Sequence, residues 1–311
     1  MCTAIAFHGL FGRTLDLEWS LNEQVTVTPR HFPLPMRHLP TLDRHYAFMG
    51  MAHVEAGFPL YYDGMNEHGL AMAGLNFPHS AYYPPLHPGQ VNLAPFELIP
   101  WVLAQCTNIQ QARQLLSGVN IAALDFSPHL PRTPMHWLIA DREGRCLAVE
   151  PLRPGLQLTD NPAGVLTNEP RLSVQLLELS KYMSLSPLPP ENRLAPHLTL
   201  TPNSRGMGAV GLPGDFSSPS RFVRAVFLTQ NARPGTGDTA VNQFFHIMDS
   251  VAVVEGCVRV ADGDVRTVYT SCCDTHKLVY RWTTYENRCI SALPLHRLDD
   301  FQLICHPIRP T

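Results

Sequence analysis

The sequence predicts an α+β fold of antiparallel sheets with helices packed outside them. Three observations carry this. Short segments of alternating hydrophobicity come in pairs joined by turn residues. Segments of helical period lie between those pairs. Strands and helices thus cluster along the chain, where a parallel sheet would need them to alternate one by one. In chain order, residues 3–7 and 10–15 flank His8-Gly9, and 58–63 and 70–75 flank Asn66-Glu67-His68-Gly69. Residues 137–141 and 146–150 flank Arg142-Glu143-Gly144, and 265–271 and 278–284 complete the strands. Helical period runs over 94–105, with Pro95 early, where its missing N–H is harmless, and over 109–116, stopped by Gly118. Three more helices are expected at 171–182, 221–230 and 239–251, with Ser218 or Ser220 capping the second of these and Asp238 the third. Proline-rich pieces at 29–40, 82–95 and 184–202 read as loops of one domain, 2–311. They lack the low-complexity polar character of linkers.

Of the 311 residues, 45% are apolar and 16% charged, with a formal net charge of −3. That is the composition of a globular protein with material for a large core. No basic run or stripe exists to neutralise phosphates, which argues against a nucleic-acid partner. No apolar stretch approaches the roughly 20 residues of a membrane span, so no membrane partner is expected. The opening MCTAIAFHGLFGR has no basic n-region and no long apolar h-region, so a cytoplasmic protein without secretory signal is expected. Eight cysteines, at 2, 106, 146, 257, 272, 273, 289 and 305, follow no disulfide spacing. Cys272, Cys273 and His276 match no zinc pattern and have no fourth ligand nearby. Buried thiols in a strand, and no metal or other cofactor, are the expectation.

Cys2 is the most informative position. Aminopeptidases remove Met1 when residue 2 is small, leaving Cys2 with a thiol and a free α-amine. That amine titrates at about 7.7–8.0 in model compounds, close to working pH, which suits a general base. Nucleophile and base then reside in one residue. If His8-Gly9 form a two-residue turn, opposed residues sum to 17, Cys2 faces Leu15, and Arg13 stands one diagonal step away on the same face. A guanidinium there favours thiolate over thiol. Asp16 points to the other face under strict alternation and needs a bulge to reach the amine.

The blocks MCTAIAF, LFGRTLDLEW, YYDGMNEHGLAMAGLNFP, GVLTNEP, SRGMGAVGLPGDFSSPSRFVRAVF, FFHIMDSV and YTSCCDTHKLVYRWTTYEN together resemble the choloylglycine hydrolase family, in the same order. That family comprises bile salt hydrolases and penicillin V acylases. The resemblance covers Cys2 to about Asn287, although the family's first hairpin is usually longer than the tight turn found here. It implies a four-layered αββα sandwich of the N-terminal-nucleophile hydrolase type, often assembled as a homotetramer. It further implies Cys2 as nucleophile with its amine as base, Arg13 supporting the thiolate and Asp16 holding the amine. Asn76 in AGLNFP would stabilise the oxyanion, Asn168 in VLTNEP would orient the amine and scissile amide, and Arg221 in SSPSRF would join the charged network behind the nucleophile.

Asn76 stands where several penicillin V acylases carry tyrosine, which favours conjugated bile acids as substrates over penicillin V. A steroid needs an apolar cleft, and Leu21, Phe58, Leu60 and Phe126 are its candidate walls. In related enzymes a Ser-Arg-Gly segment before the VGLPGD block accompanies glycine conjugates, so Ser204 and Arg205 are expected at the amino-acid tail. A planar carboxylate suits an arginine fork better than a tetrahedral sulfonate does. Two rivals differ in class. A non-catalytic bile-salt or lipid-binding protein would not need all six catalytic-type residues. A papain-type hydrolase using Cys106 lacks its local signature, and Cys106 lies in an apolar helix where an inert thiol is expected.

Overall fold

The structure, a computed structural model, describes residues 1–308. Two antiparallel sheets lie face to face. The first has six strands in the order Val165–Leu166, Cys2–Phe7, Leu10–Leu17, Arg266–Asp274, Val279–Thr284 and Ser291–Pro294. The second runs Gly155–Asp160, Cys146–Leu152, Met135–Ala140, Ala71–Asn76, Asp63–Asn66, Phe48–Glu55, Gln24–Thr28 and Ile304–Pro307, with Phe58–Tyr61 paired to Phe48–Glu55. Helices Ser218–Asn231 and Asp238–Asp249 pack on the six-stranded sheet, and Leu98–Gln105 packs on the other. The result is the αββα sandwich expected from the resemblance. No helix among the described residues is long and apolar enough to cross a membrane.

Side-chain alternation builds the layers. On the strand Ala71–Asn76, Ala71, Ala73 and Leu75 face the other sheet, while Met72 faces helix Leu98–Gln105 with Trp137 and Ile139. Residues 98 to 104 of that helix are all buried, as a helix apolar on every side requires. The first hairpin has the expected register, Cys2 opposite Leu15 and Ala4 opposite Arg13. Its turn places His8 at φ 47° and Gly9 at φ 80°, the two left-handed residues of a type I′ turn, whose twist matches the strands it joins. The N-terminal strand is also hydrogen-bonded on both edges, to 165–166 and to 10–17. Chain ends usually fray; this one is held inside a sheet, between two neighbouring strands.

Some elements differ from expectation. Residues 58–63 are two strands: Phe58–Tyr61 turns back on Phe48–Glu55, and Asp63–Asn66 pairs with Ala71–Asn76. Tyr62 lies at the break. Its N–H donates to Met51 and its carbonyl accepts from Gly74, both at 2.9 Å. Ser218 and Ser220 lie inside the helix they were expected to cap; Ser217 holds the cap position without a side-chain capping bond, and Asp215 braces the approach, accepting from Ser217 N at 2.9 Å and Ser220 Oγ at 2.6 Å. Asp238 is the first residue of its helix, after Gly237 at φ 55°. Cys272 and Cys273 are buried in a strand, as expected.

Candidate active site

Because Cys2 and Arg13 share the inner face of the first hairpin, the thiol points between the sheets and the guanidinium meets it. Arg13 Nη2 lies 2.6 Å from Cys2 Sγ. The rest of the guanidinium is fixed by backbone carbonyls: Nη1 donates to Gly74 at 2.7 Å and to Tyr62 at 3.4 Å, and Nε donates to Thr14 at 3.0 Å. Burial works against its charge, but the fields of Cys2, Tyr269, Asp63 and Asp16 outweigh burial and hold Arg13 above its ordinary value. Asp63 is the buried acid across the gap, accepting from Tyr269 Oη at 2.6 Å and Tyr280 Oη at 2.7 Å. Burial pushes its carboxyl up, offset in part by Arg13, the two tyrosines and Ser271.

Asn168 is the hub on the other side. Its Oδ1 accepts from Cys2 N at 2.9 Å and from Arg221 Nη2 at 2.7 Å, and its Nδ2 donates to the Asn76 carbonyl at 2.7 Å. Two donors meet one end of the amide and an acceptor meets the other, so the neighbours fix its orientation. Ser218 Oγ receives Asn168 N at 2.8 Å, and Gln175 Nε2 donates to the Asn168 carbonyl at 2.9 Å. Arg221, fully buried, also donates to the Cys2 carbonyl and Thr3 Oγ1, each at 2.6 Å, and to the Phe216 carbonyl at 3.0 Å. Burial lowers its value; Asp16 and Cys2 offset this only in part.

Asp16 points away from the thiol, as strict alternation requires. Its carboxylate accepts from Thr267 Oγ1 at 2.7 Å and Thr14 Oγ1 at 3.1 Å. Its backbone pairs with Met1, whose amine donates to the Asp16 carbonyl at 2.5 Å and whose carbonyl accepts from Asp16 N at 3.0 Å. Asp16 therefore acts on the site through its field, which reaches both arginines. The Asn76 side chain is exposed at the end of its strand and has no partner among the described residues.

Met135, opposite Asn76 in register, lines a cavity of about 350 Å³ together with Tyr62, whose carbonyl faces Arg13. Leu21, Leu60 and Phe126 also line it. Phe58 does not; it lies beneath the wall, 5.7 Å from the Phe96 ring and 6.0 Å from that of Phe126. Ser204 and Arg205 are exposed on a separate loop and are not among the cavity's lining residues. Cavities of about 480 and 720 Å³ lie elsewhere, the first around the His8-Gly9 turn. Cys106, just past its helix, is pushed up to about 12 by burial, the condition of an inert thiol.

The sequence reading missed Tyr62, Gly74, Gln175 and Ser218. The first two contribute only carbonyls, which any residue supplies, so no side-chain signal marks them.

A buried cysteine heading an inner strand of a two-sheet sandwich between helical layers is the architecture of the N-terminal-nucleophile hydrolases. The chain belongs to the choloylglycine hydrolase family of linear amide C–N hydrolases, whose family model matches residues 2–305. It is 44% identical to the bile salt hydrolase/transferase of Lactiplantibacillus plantarum, over 99% of this chain and 97% of the relative. It is 34% identical to the conjugated bile acid hydrolase of Lactobacillus gasseri, over 96% of each. A crystal structure of a variant of conjugated bile acid hydrolase from Clostridium perfringens superposes with a TM-score of 0.92 at 34% identity, covering 99% of this chain and 97% of that one. Penicillin V acylase from Agrobacterium tumefaciens shares the fold, with a TM-score of 0.75 at 19% identity over 97% of this chain and 90% of that one.

Proposed function

We propose that this chain hydrolyses the amide bond of conjugated bile acids, using Cys2 freed of Met1. The supporting observation is the Arg13 guanidinium 2.6 Å from Cys2 Sγ, joined through the Tyr62 carbonyl to a residue that lines an apolar-walled cavity. A fixed positive charge at that distance stabilises the negative charge the sulfur carries as it attacks. The thiolate adds to the amide carbonyl, forming a C–S bond and an oxyanion. The exposed Asn76 side chain is free to donate to that oxyanion, and such preorganised donors are among the largest contributors to acyl transfer. The Cys2 amine has taken the thiol proton. It passes that proton to the leaving nitrogen as the C–N bond breaks. Water then cleaves the thioester, releasing the bile acid and restoring the thiol.

Asn168 already accepts from the Cys2 nitrogen, so it is placed to orient the amine. Arg221 holds Asn168 and the Cys2 carbonyl. Asp16 supplies the negative field beneath both. A single catalytic domain over 2–311 (309–311 lie outside the described residues), a cytoplasmic location and a homotetramer belong to the same proposal. So does a preference for glycine conjugates, which rests on the Ser204–Arg205 segment alone.

Release of glycine or taurine from a panel of conjugated bile acids, with penicillin V alongside, tests the reading. We expect kcat/KM to be highest for a conjugated bile acid. Higher turnover of penicillin V would assign the chain to the other branch. Glycocholate should exceed taurocholate, and Arg205→Gly should narrow that ratio; an unchanged ratio removes Arg205 from the substrate site.

A further inference from the structure

The Asn76 side chain has no partner among the described residues, so what holds its backbone decides where it points. The turn that follows it, from Phe77 to Ala81, closes on itself through Ala81 N donating to the Phe77 carbonyl at 3.1 Å. The carboxylate of Glu169 gathers that turn from outside. Its Oε1 accepts from His79 N and Ser80 N, both at 2.9 Å, and its Oε2 accepts from Ser80 Oγ at 2.7 Å. Glu169 adjoins Asn168, whose Nδ2 holds the Asn76 carbonyl.

On the inner side, Phe77 is stacked on His136 with ring centroids 4.1 Å apart and planes 7° apart. His136 Nε2 lies 2.7 Å from the Thr167 carbonyl. A carbonyl only accepts, so that nitrogen carries a hydrogen. The imidazole thus spans the same two segments from behind, one residue from Asn76 on one side and one residue from Asn168 on the other.

We propose that Glu169 is a positioning residue for Asn76, a tether that sets the oxyanion donor against the Asn168 loop. This rests on the function proposed above and adds a group with no place in that mechanism. Three charge-assisted hydrogen bonds to one short turn form a strong, directional restraint. Loss of such a restraint misplaces the Asn76 amide relative to the oxyanion, and an error of about 1 Å can cost on the order of 10²-fold in rate. Among the described residues the Glu169 carboxylate bonds to the turn and does not line the cavity, so ground-state binding of the steroid there stays as it was.

The test compares the Met1-processed parent with Glu169→Ala, Glu169→Gln and Ser80→Ala. Glu169→Ala should lower kcat by about 10²-fold while KM moves less than about 3-fold. An aldehyde analogue of the bile acid adds to the thiolate and creates the same oxyanion. Its affinity should fall by the same factor as kcat/KM, whereas affinity for the free bile acid should not change. Glutamine keeps an acceptor for the two backbone N–H groups, so Glu169→Gln should recover to within roughly 5-fold of the parent. If Glu169→Ala does not fold, Ser80→Ala carries the test, with a loss of about 3-fold in both kcat and aldehyde affinity.

A fall in kcat without a fall in aldehyde affinity overturns the tether. So does a glutamine variant as poor as alanine, or a kcat within about 2-fold of the parent in every folded variant. A parent inactive on every conjugated bile acid overturns the proposed function instead, and the two failures are told apart by the parent alone.

Discussion

Arg13 and Arg221 each lie fully buried with a nitrogen 2.6 Å from an atom of Cys2, yet their surroundings push their charges in opposite directions. Arg13 faces the thiol from between the sheets, with Asp63, Tyr269 and Asp16 near enough to keep its charge secure. Arg221 reaches the backbone of Cys2 from the helix layer, where it meets neutral oxygens and burial weakens its charge. One arginine sets a charge beside the thiol; the other is a donor fork that holds a shape. Residue type alone did not distinguish them. The neighbours did.

The largest effect comes from removing the atom that separates the two regions. Cys2→Ala should abolish hydrolysis, a loss of roughly 10⁶-fold, as for other covalent nucleophiles. The Arg221 contact is to the Cys2 carbonyl, which the variant keeps, so thermal unfolding should remain close to that of the parent. A large drop in Tm would show that Arg13 depends on the sulfur for its placement.

Replacing each arginine by methionine sharpens the comparison. Arg13→Met leaves Asp63 buried without a countercharge and should cost about 3–5 kcal/mol in denaturant unfolding. It should also slow alkylation of Cys2 by iodoacetamide about 10-fold or more at neutral pH. Arg221→Met strands neutral acceptors, at about 1–3 kcal/mol for each group left unpaired, and should change alkylation less than about 3-fold while still lowering kcat. Equal alkylation rates in the two variants would break the distinction.

The smallest effect concerns the helix that carries Arg221. Asp215, just ahead of its first turn, is held at about 2, first by its side-chain bonds to Ser217 and Ser220. A carboxyl depressed in the folded state contributes stability above its unfolded value near 3.8 and loses it as pH falls toward 2. The group is largely exposed, so Asp215→Asn should cost about 1 kcal/mol or less at pH 7. The gap between parent and variant should close between pH 4 and pH 2. A gap that persists at pH 2 would mean that shape, not charge, makes the Asp215 contacts matter.

The first hairpin was legible from residues alone. A two-residue turn and a side-chain period of two fix every pairing, so Arg13 could be placed beside Cys2 without any other knowledge. Asn76, Asn168 and Arg221 come from elements far apart in the chain, and only the resemblance to a family placed them. The strand Phe48–Glu55 was missed because methionine, alanine and glycine dominate it, residues with little strand preference. Gly50 is there for a reason local patterns do not show: a Cβ would lie 2.0 Å from the Asp63 carbonyl oxygen of the neighbouring strand. The steroid wall was legible as loops but not as faces. Leu60 and Phe58 share a face of one strand, so alternation could not separate them; Phe96 and Phe126 cover Phe58, and only Leu60 reaches the cavity.

Met1 extends the ladder of the first hairpin by one rung, with its carbonyl and amine both engaged by the backbone of Asp16. On the proposed mechanism that has a practical consequence for anyone handling the protein. Met1 fits that rung without disturbing the sheet, so a residue left ahead of Cys2, a purification handle or a display fusion need not spoil the fold, yet it converts the base into a peptide nitrogen. Such a preparation should fold while doing no chemistry. Handles therefore belong beyond the final strand, Ile304–Pro307, at the edge of the nine-stranded sheet.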